Sequence, residues 1–432
     1  MAAAGAEGFG RAGPFADRNF RWLYAGGLVN MLGDQFTLVA LPWLVLKLTG
    51  DPGAMGLVLA AISVPRAVFI LLGGALTDRF SPKRVLMLTK HVNTVLLGLL
   101  AALVLGGRLE MWMVYPIAVT IGLATAFSVP AGTAIIPRTL PPALLGPANG
   151  LFMGTRQLTV MAGPLAAGLL VALFGDAQRG DVAGAKGLGI AFLADAVSFA
   201  VSAWTLARVA ETPLPGPARP PEPVLAAIAE GLRHFWRDRA LRMLCLYFAA
   251  TTFFIGGPMQ VAIPVLAEGR LGDGAAGLGV LMAAHGAGTL AGMVLSGMLP
   301  GLRVGTLGLT VLTVDAVAGA LVALLALVTA TWQGALLMVP LGLLAGFIQV
   351  VVFTWMQRRV PPAMLGRAMS LFMFIFMGVG PVSAALTGYL LRDLGLGTLF
   401  AGGGAVLTAL ALLGLLSPTI RGVSDAGVRP NV

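Results

Sequence analysis

The chain has 432 residues, 58% of them hydrophobic and 11% charged, with 59 glycines and a formal net charge of +10; its mean hydropathy is +0.91. This balance excludes an ordinary soluble domain and predicts a polytopic membrane protein, in which the basic excess answers anionic lipid headgroups rather than nucleic acid. A single cysteine, Cys245, excludes an intramolecular disulfide and a thiolate metal site.

A hydrocarbon core about 30 Å thick needs about 20 apolar residues per helix, with the backbone hydrogen bonds closed inside each segment. Twelve stretches qualify. The first six span 20–46, 54–77, 84–106, 112–136, 148–174 and 188–208, and the second six span 241–266, 276–300, 304–328, 333–356, 368–391 and 397–417. The expected architecture is all-α, with twelve transmembrane helices in two six-helix halves related by a pseudo-two-fold axis about a central cavity. Residues 1–19 form a tail, 20–209 the first half, 210–240 a polar linker, 241–418 the second half and 419–432 a closing tail. In the linker, the proline-rich run Pro213 to Pro223 precedes Leu225, Ile228, Leu232 and Phe235, whose helical spacing against Glu230, Arg233 and Arg237 predicts an amphipathic surface helix with Trp236 near the headgroups. The opening residues lack a cleavable signal peptide, so the first span is expected to direct its own insertion.

Short loops rich in Lys and Arg stay cytoplasmic. Arg11, Arg18 and Arg21 flank the start of the first span; Arg79, Lys83 and Arg84 follow the second, Arg138 the fourth, and Arg358, Arg359 and Arg367 the tenth. The alternate loops are nearly balanced, as in Lys47 with Asp51. Both termini are therefore expected in the cytoplasm, with the chain in the plasma (inner) membrane.

The halves also echo each other. Pro141-Pro-Ala-Leu-Leu-Gly-Pro-Ala-Asn-Gly-Leu-Phe-Met153 matches Pro361-Pro-Ala-Met-Leu-Gly-Arg-Ala-Met-Ser-Leu-Phe-Met373 at nine of thirteen positions, and each copy leads to a Gly-Pro pair, Gly163-Pro164 and Gly380-Pro381. Half-length repeats in a polytopic chain mark secondary transporters, whose substrate site lies between the repeats near the midplane.

Charges within the spans are the candidate working groups, because an uncompensated one costs roughly 2.5 to 3.5 kcal/mol on insertion scales. At 1.5 Å per residue, Asp34 and Arg66 both fall roughly 18 to 21 Å from the inner surface, so they can face each other as a proton-coupling pair or as a static tie between helices. Asp195 and Asp315 reach similar depth and are further coupling candidates, with a lone structural hydrogen bond as the plainer role. Arg156 could meet an anionic substrate or answer an aspartate, and His285 is expected to be structural. Lys90 and His91 lie near enough to the surface to snorkel. Phe253, Phe254, Met259, Gln260, Gln349, Trp355, Phe372 and Phe376 are possible cavity lining, although such residues more often pack helices.

Where the second span ends, Gly74-Ala-Leu-Thr-Asp78-Arg79-Phe-Ser-Pro-Lys83-Arg84 places a small residue for close helix approach, a carboxylate able to cap a neighbouring helix, and cations that hold the loop inside. This stretch resembles the loop motif of the major facilitator superfamily, Gly-x-x-x-Asp-Arg-x-Gly-x-Lys/Arg-Lys/Arg, with Ser81 in place of the second glycine. The equivalent loop after span eight, Gly297-Met-Leu-Pro-Gly-Leu-Arg303, lacks the aspartate. The resemblance implies that Gly74, Asp78, Arg79, Lys83 and Arg84 form a conformational latch. Ala40-Leu-Pro-Trp43 after Asp34, Pro65-Arg66, Pro130-Ala131, Glu230-Gly-Leu-Arg233 and Gln357-Arg-Arg-Val-Pro361 are similar to the drug/proton antiporter group that includes macrolide and siderophore (enterobactin) exporters. Gly163-Pro164 partly resembles that group's span-five motif, while span four lacks the arginine many of its members carry.

The resemblance implies alternating access and proton-coupled efflux of a small amphipathic compound by a monomer without cofactors. An importer, a uniporter or a lipid or lysophospholipid mover of the same fold is the alternative. An intramembrane enzyme would need a nucleophile with a base or a metal pair, and the sequence has no His-Glu-x-x-His, Gly-x-Ser-x-Gly or P-loop.

Overall fold

In the computed structural model, the described residues are 13–175, 184–210, 236–299, 301–360 and 365–423, with side chains inside helices left out at 71, 74–79, 142–143 and 365–377. The described elements are helical. In chain order they are α1 Arg18–Thr49, α2 Pro52–Arg79, α3 Pro82–Leu105, α4 Met111–Ile135, α5 Pro142–Phe174 and α6 Lys186–Ala207, then α7 Arg239–Leu271, α8 Gly274–Met298, α9 Leu307–Leu324, α10 Thr331–Arg359, α11 Leu365–Leu390 and α12 Leu396–Leu416. Each expected span falls on one of them. Eleven are long and apolar enough to cross a membrane among the described residues, and α11, whose first half is among the undescribed side chains, is the twelfth. The expected linker helix lies outside the described residues.

The ends of these helices follow from local chemistry. Asp17 caps α1 by accepting from the Phe20 amide at 2.9 Å, and Gly50, at φ 64°, closes the other end with its amide on the Leu46 carbonyl. Only glycine enters that left-handed region cheaply. Ser81, which replaces the motif glycine, has φ −60° and accepts from the Arg84 amide, so it serves as the N-cap of α3 where no glycine is required. Helix α7 is the irregular span: it passes through two π-helical turns, Thr252–Gly256 and Ala267–Leu271. Such turns free a backbone carbonyl. Here the Phe253 carbonyl accepts a hydrogen bond from the Ser383 hydroxyl of α11.

The helices divide into two compact units, 1–50 with 61–221 and 51–60 with 222–432. The first turns of α2 thus cluster with the second unit. There Arg392 donates from Nε to Asp51 Oδ1 at 2.9 Å and from Nη2 to Oδ2, while Gly388 leaves room for the Pro52 carbonyl. The Arg392 hydrogen bonds hold the Asp51 carboxyl below its ordinary value. At the start of α7, burial pushes the Asp238 carboxyl up, but the hydrogen bond from Arg359 and the helix-capping amides of Leu241 and Ala240 outweigh it, and the net shift is downward.

In the first unit, α1 packs against α6 through Gly26 and Gly33. A Cβ on Gly26 would strike Thr205, and one on Gly33 would strike Ser198 and Asp195. In the second unit, α8 and α10 meet through Gly288, Gly292, Gly342 and Gly346, each of which lies against a backbone carbonyl of the facing helix. Small residues let membrane helices approach this closely, where dispersion and polar contacts replace the hydrophobic drive.

Candidate functional site

The polar centre of the first unit is assembled by three helices, and only Asp195, Ser198 and Ser202 of its charged and polar groups are fully buried. Helix α1 supplies Asn30, Asp34 and Thr37, α3 supplies Lys90, and α6 supplies Asp195, Ser198 and Ser202. The Lys90 ammonium donates to Asn30 Oδ1 at 2.9 Å and to Ser202 Oγ at 2.7 Å, and it lies 5.7 Å from the centroid of the Phe199 ring. Asn30 passes the interaction on: its Nδ2 donates to Asp34 Oδ2 at 3.0 Å. Asp195, 1% exposed, accepts from the Thr37 hydroxyl and from Ser198 Oγ at 3.0 Å. Lys90 is the cation whose field reaches both carboxylates.

Two expectations are corrected by this geometry. Asp34 answers Lys90 through Asn30, not Arg66. The Arg66 Nε is buried without a hydrogen-bond partner, and no ion pair joins Arg66 to Asp34 among the described residues. Equal depth fixed neither helix's rotation about its own axis. Lys90 does not snorkel outward, because its ammonium is held by Asn30 and Ser202 and its stem is half-buried. His91, on the next face, is the exposed neighbour, with Nδ1 on the Met87 carbonyl at 2.6 Å.

The sequence contained a signal for this centre. Asn30, Asp34 and Thr37 recur at intervals of four and three, and Asp195, Ser198 and Ser202 at three and four, so each set forms a polar stripe on one helix face. Lys90 lies nearer the inner surface than Asp34 at its Cα, and its ammonium reaches Asn30 and Ser202 on a flexible four-carbon stem.

The other sequence candidates are dispersed. In the second unit, Asp315 of α9 accepts from the Tyr247 hydroxyl of α7 at 2.7 Å. Gln260 and Gln349 are exposed, and Gln260 lies against Gly380. The Phe253 ring meets Phe254 edge-on at 5.3 Å. Trp355, 3% exposed, belongs to the core of the second unit rather than to a free wall. Arg156 is exposed and forms no ion pair among the described residues. Gly163 gives α5 a close seat on the Gln35 side chain of α1. Phe372 and Phe376 lie among the undescribed side chains, as do Gly74, Asp78 and Arg79, although the α2 backbone remains helical through Arg79. Lys83 donates to the Ala207 and Val209 carbonyls at 3.1 and 2.6 Å, so it closes the end of α6 in addition to carrying loop charge. Arg84 is exposed. No group of three or more metal-ligating side chains occurs among the described residues.

Long apolar helices around a hydrogen-bonded polar group define a multi-pass membrane protein. The model of the Major Facilitator Superfamily matches residues 23–385, and the chain belongs to that family. Among its relatives, the Multidrug efflux pump Tap of Mycobacterium tuberculosis is 26% identical over 407 residues, covering 91% of this chain and 92% of the relative. The Enterobactin exporter EntS of Escherichia coli is 27% identical over 386 residues, covering 85% and 84%. In three dimensions, the nucleoside transporter NupG superposes with a TM-score of 0.67 at 14% identity, covering 92% of this chain and 98% of that one. A bacterial homolog of the human lysosomal transporter Spinster gives 0.69 at 15%, covering 93% and 95%. At such identities the structural likeness speaks for the fold.

Proposed function

We propose that this transporter exports a small amphipathic compound across the inner membrane by alternating access, driven by protons, with both termini cytoplasmic. The observation that carries the reading is the proportion of charges in the first unit: two carboxylates, Asp34 and Asp195, accompany one ammonium, Lys90, which is hydrogen-bonded to Asn30 beside Asp34 and to Ser202 on the helix of Asp195. With all three ionised, the group holds one negative charge in excess, and a charge without compensation is costly at this depth. One proton makes it neutral. Proton uptake and release would therefore change how strongly α1, α3 and α6 are tied, which is the differential interaction a two-state transporter needs. The directions printed in the names of the pump and exporter relatives support efflux.

Arg66, with its buried and unpartnered Nε, is the cation available for an acidic group of the cargo. Asp78 and Arg79 keep the latch role implied by their motif.

Everted membrane vesicles with an imposed proton gradient test the proposal, using ethidium as a fluorescent amphipathic probe. Gradient-driven accumulation is expected in the intact chain and lost in Asp34→Asn and Asp195→Asn. If both variants accumulate the probe at the original rate, the coupling assignment fails. If the intact chain shows accumulation independent of the gradient, proton drive fails and a uniporter of the same fold replaces it.

A further inference from the structure

The second unit contains a cavity of about 160 Å³ whose walls come from α7, α8, α9, α10 and α12. It is largely apolar, lined by Met259, Ala318, Leu341 and Ile348 among others, and two titratable side chains open onto it: Asp315 of α9 and His285 of α8. The close approach of α8 to α10, where Gly342 lies against the His285 backbone carbonyl, fixes the position of His285. Its ring forms no hydrogen bond among the described residues. Asp315 has one donor, Tyr247, on Oδ2, and no Lys or Arg pairs with it among the described residues.

This arrangement differs from a simple packing void. A neutral imidazole offers a lone pair, and a carboxylate oxygen offers another. Two acceptors facing an apolar chamber match a guest with two N–H donors, a positive charge and a hydrophobic body. The volume sets its size, since an apolar cavity of about 150 Å³ holds one benzene ring. A guest cation would also supply the charge that Asp315 lacks, and charge-assisted hydrogen bonds are the stronger class.

We propose that this cavity is a binding site, separate from the Asp34–Lys90–Asp195 group, for a primary or secondary ammonium carried on a single apolar ring. The assignment does not depend on the direction of transport or on its drive.

The test is calorimetric titration of the purified full chain in lipid nanodiscs with benzylammonium chloride, using benzyl alcohol as the neutral counterpart of equal size. Benzylammonium is expected to bind saturably and about tenfold more tightly than the alcohol, the step expected of one charge-assisted contact. Asp315→Asn should remove that preference, and Ala318→Leu, which fills the chamber, should remove binding of both probes while circular dichroism keeps the helical signal. If Asp315→Asn does not fold, Ala318→Leu decides alone. Equal affinity for the two probes, no binding of either, or binding retained in Ala318→Leu would overturn the proposal. So would a preference kept in Asp315→Asn and lost in Asp34→Asn, because it would assign the ammonium to the first unit.

Discussion

The two units place carboxylates within their spans and compensate them differently. In the first, Asp34 is joined to Lys90 through Asn30, while Asp195 accepts from Thr37 and Ser198 on the helix from which Ser202 holds the same ammonium. In the second, Asp315 has a single phenol and an adjoining cavity. A group that contains its own counter-charge can switch with one proton. A carboxylate beside an apolar chamber is instead suited to receive a charge from outside. In the proposed reading the difference separates coupling from recognition within one fold, and each side of it can be attacked.

The largest effect is expected from Lys90→Met. It removes the ammonium that donates to Asn30 and Ser202 and leaves Asp34 and the buried Asp195 without that cation, and the loss of two charge-assisted hydrogen bonds costs about 3 kcal/mol or more. Thermal unfolding should move sharply downward and gradient-driven accumulation should cease. The double variant Lys90→Met with Asp195→Asn should recover part of the stability, and a strictly additive result would mean that the lysine and the aspartate do not interact. No such rescue is expected when Lys90→Met is combined with Asp315→Asn.

Next in size is Gly33→Ala. Its new methyl would run into Ser198 and Asp195, and overpacking of this kind costs about 1 to 3 kcal/mol. Because it displaces the groups around Asp195, it should also lower the rate of gradient-driven transport. A wild-type melting profile and rate would show that α1 and α6 are not so closely packed in the membrane.

Tyr247→Phe removes the donor to Asp315 and is expected to cost about 1 kcal/mol in unfolding measurements, since the half-buried acceptor loses its hydrogen-bond partner. Proton-driven accumulation should persist in this variant. Loss of coupling would place Asp315 in the proton route and erase the distinction between the two units.

The smallest effect concerns the exposed Asp51–Arg392 pair, which involves no buried compensation. The Asp51 carboxyl is held below its ordinary value in the folded chain, so its contribution is present above the unfolded carboxylate value of about 3.9 and disappears as the pH falls through the lower folded value. Asp51→Asn should flatten the acid end of the stability profile measured from about pH 6 to about pH 3, while leaving neutral-pH melting close to the original. A steeper acid end in the variant would contradict the sign of that shift.

Much of this was readable along the chain. The span periodicity, the polar break between halves and the Pro-Pro-Ala-x-Leu-Gly repeat each depend on near neighbours in sequence, and helices in a bilayer must close their own backbone hydrogen bonds. Even the departure at Ser81 had a local meaning, because a serine before Pro82 is a helix N-cap. Asp34 was legible as an anomaly in hydrocarbon. Its partner was not.

Hydropathy and the spacing of residues along one helix by themselves determined the membrane-spanning elements, their order and the set of charges that demanded an explanation. Tertiary structure decided which of those charges meet. The close seats at Gly26 and Gly33 turn α6 toward α1, and the reach of Lys90 from α3 completes the group, while Arg66 at the same depth forms no ion pair among the described residues. Height along a helix is a property of one segment, but the face it presents is fixed by the helices packed against it.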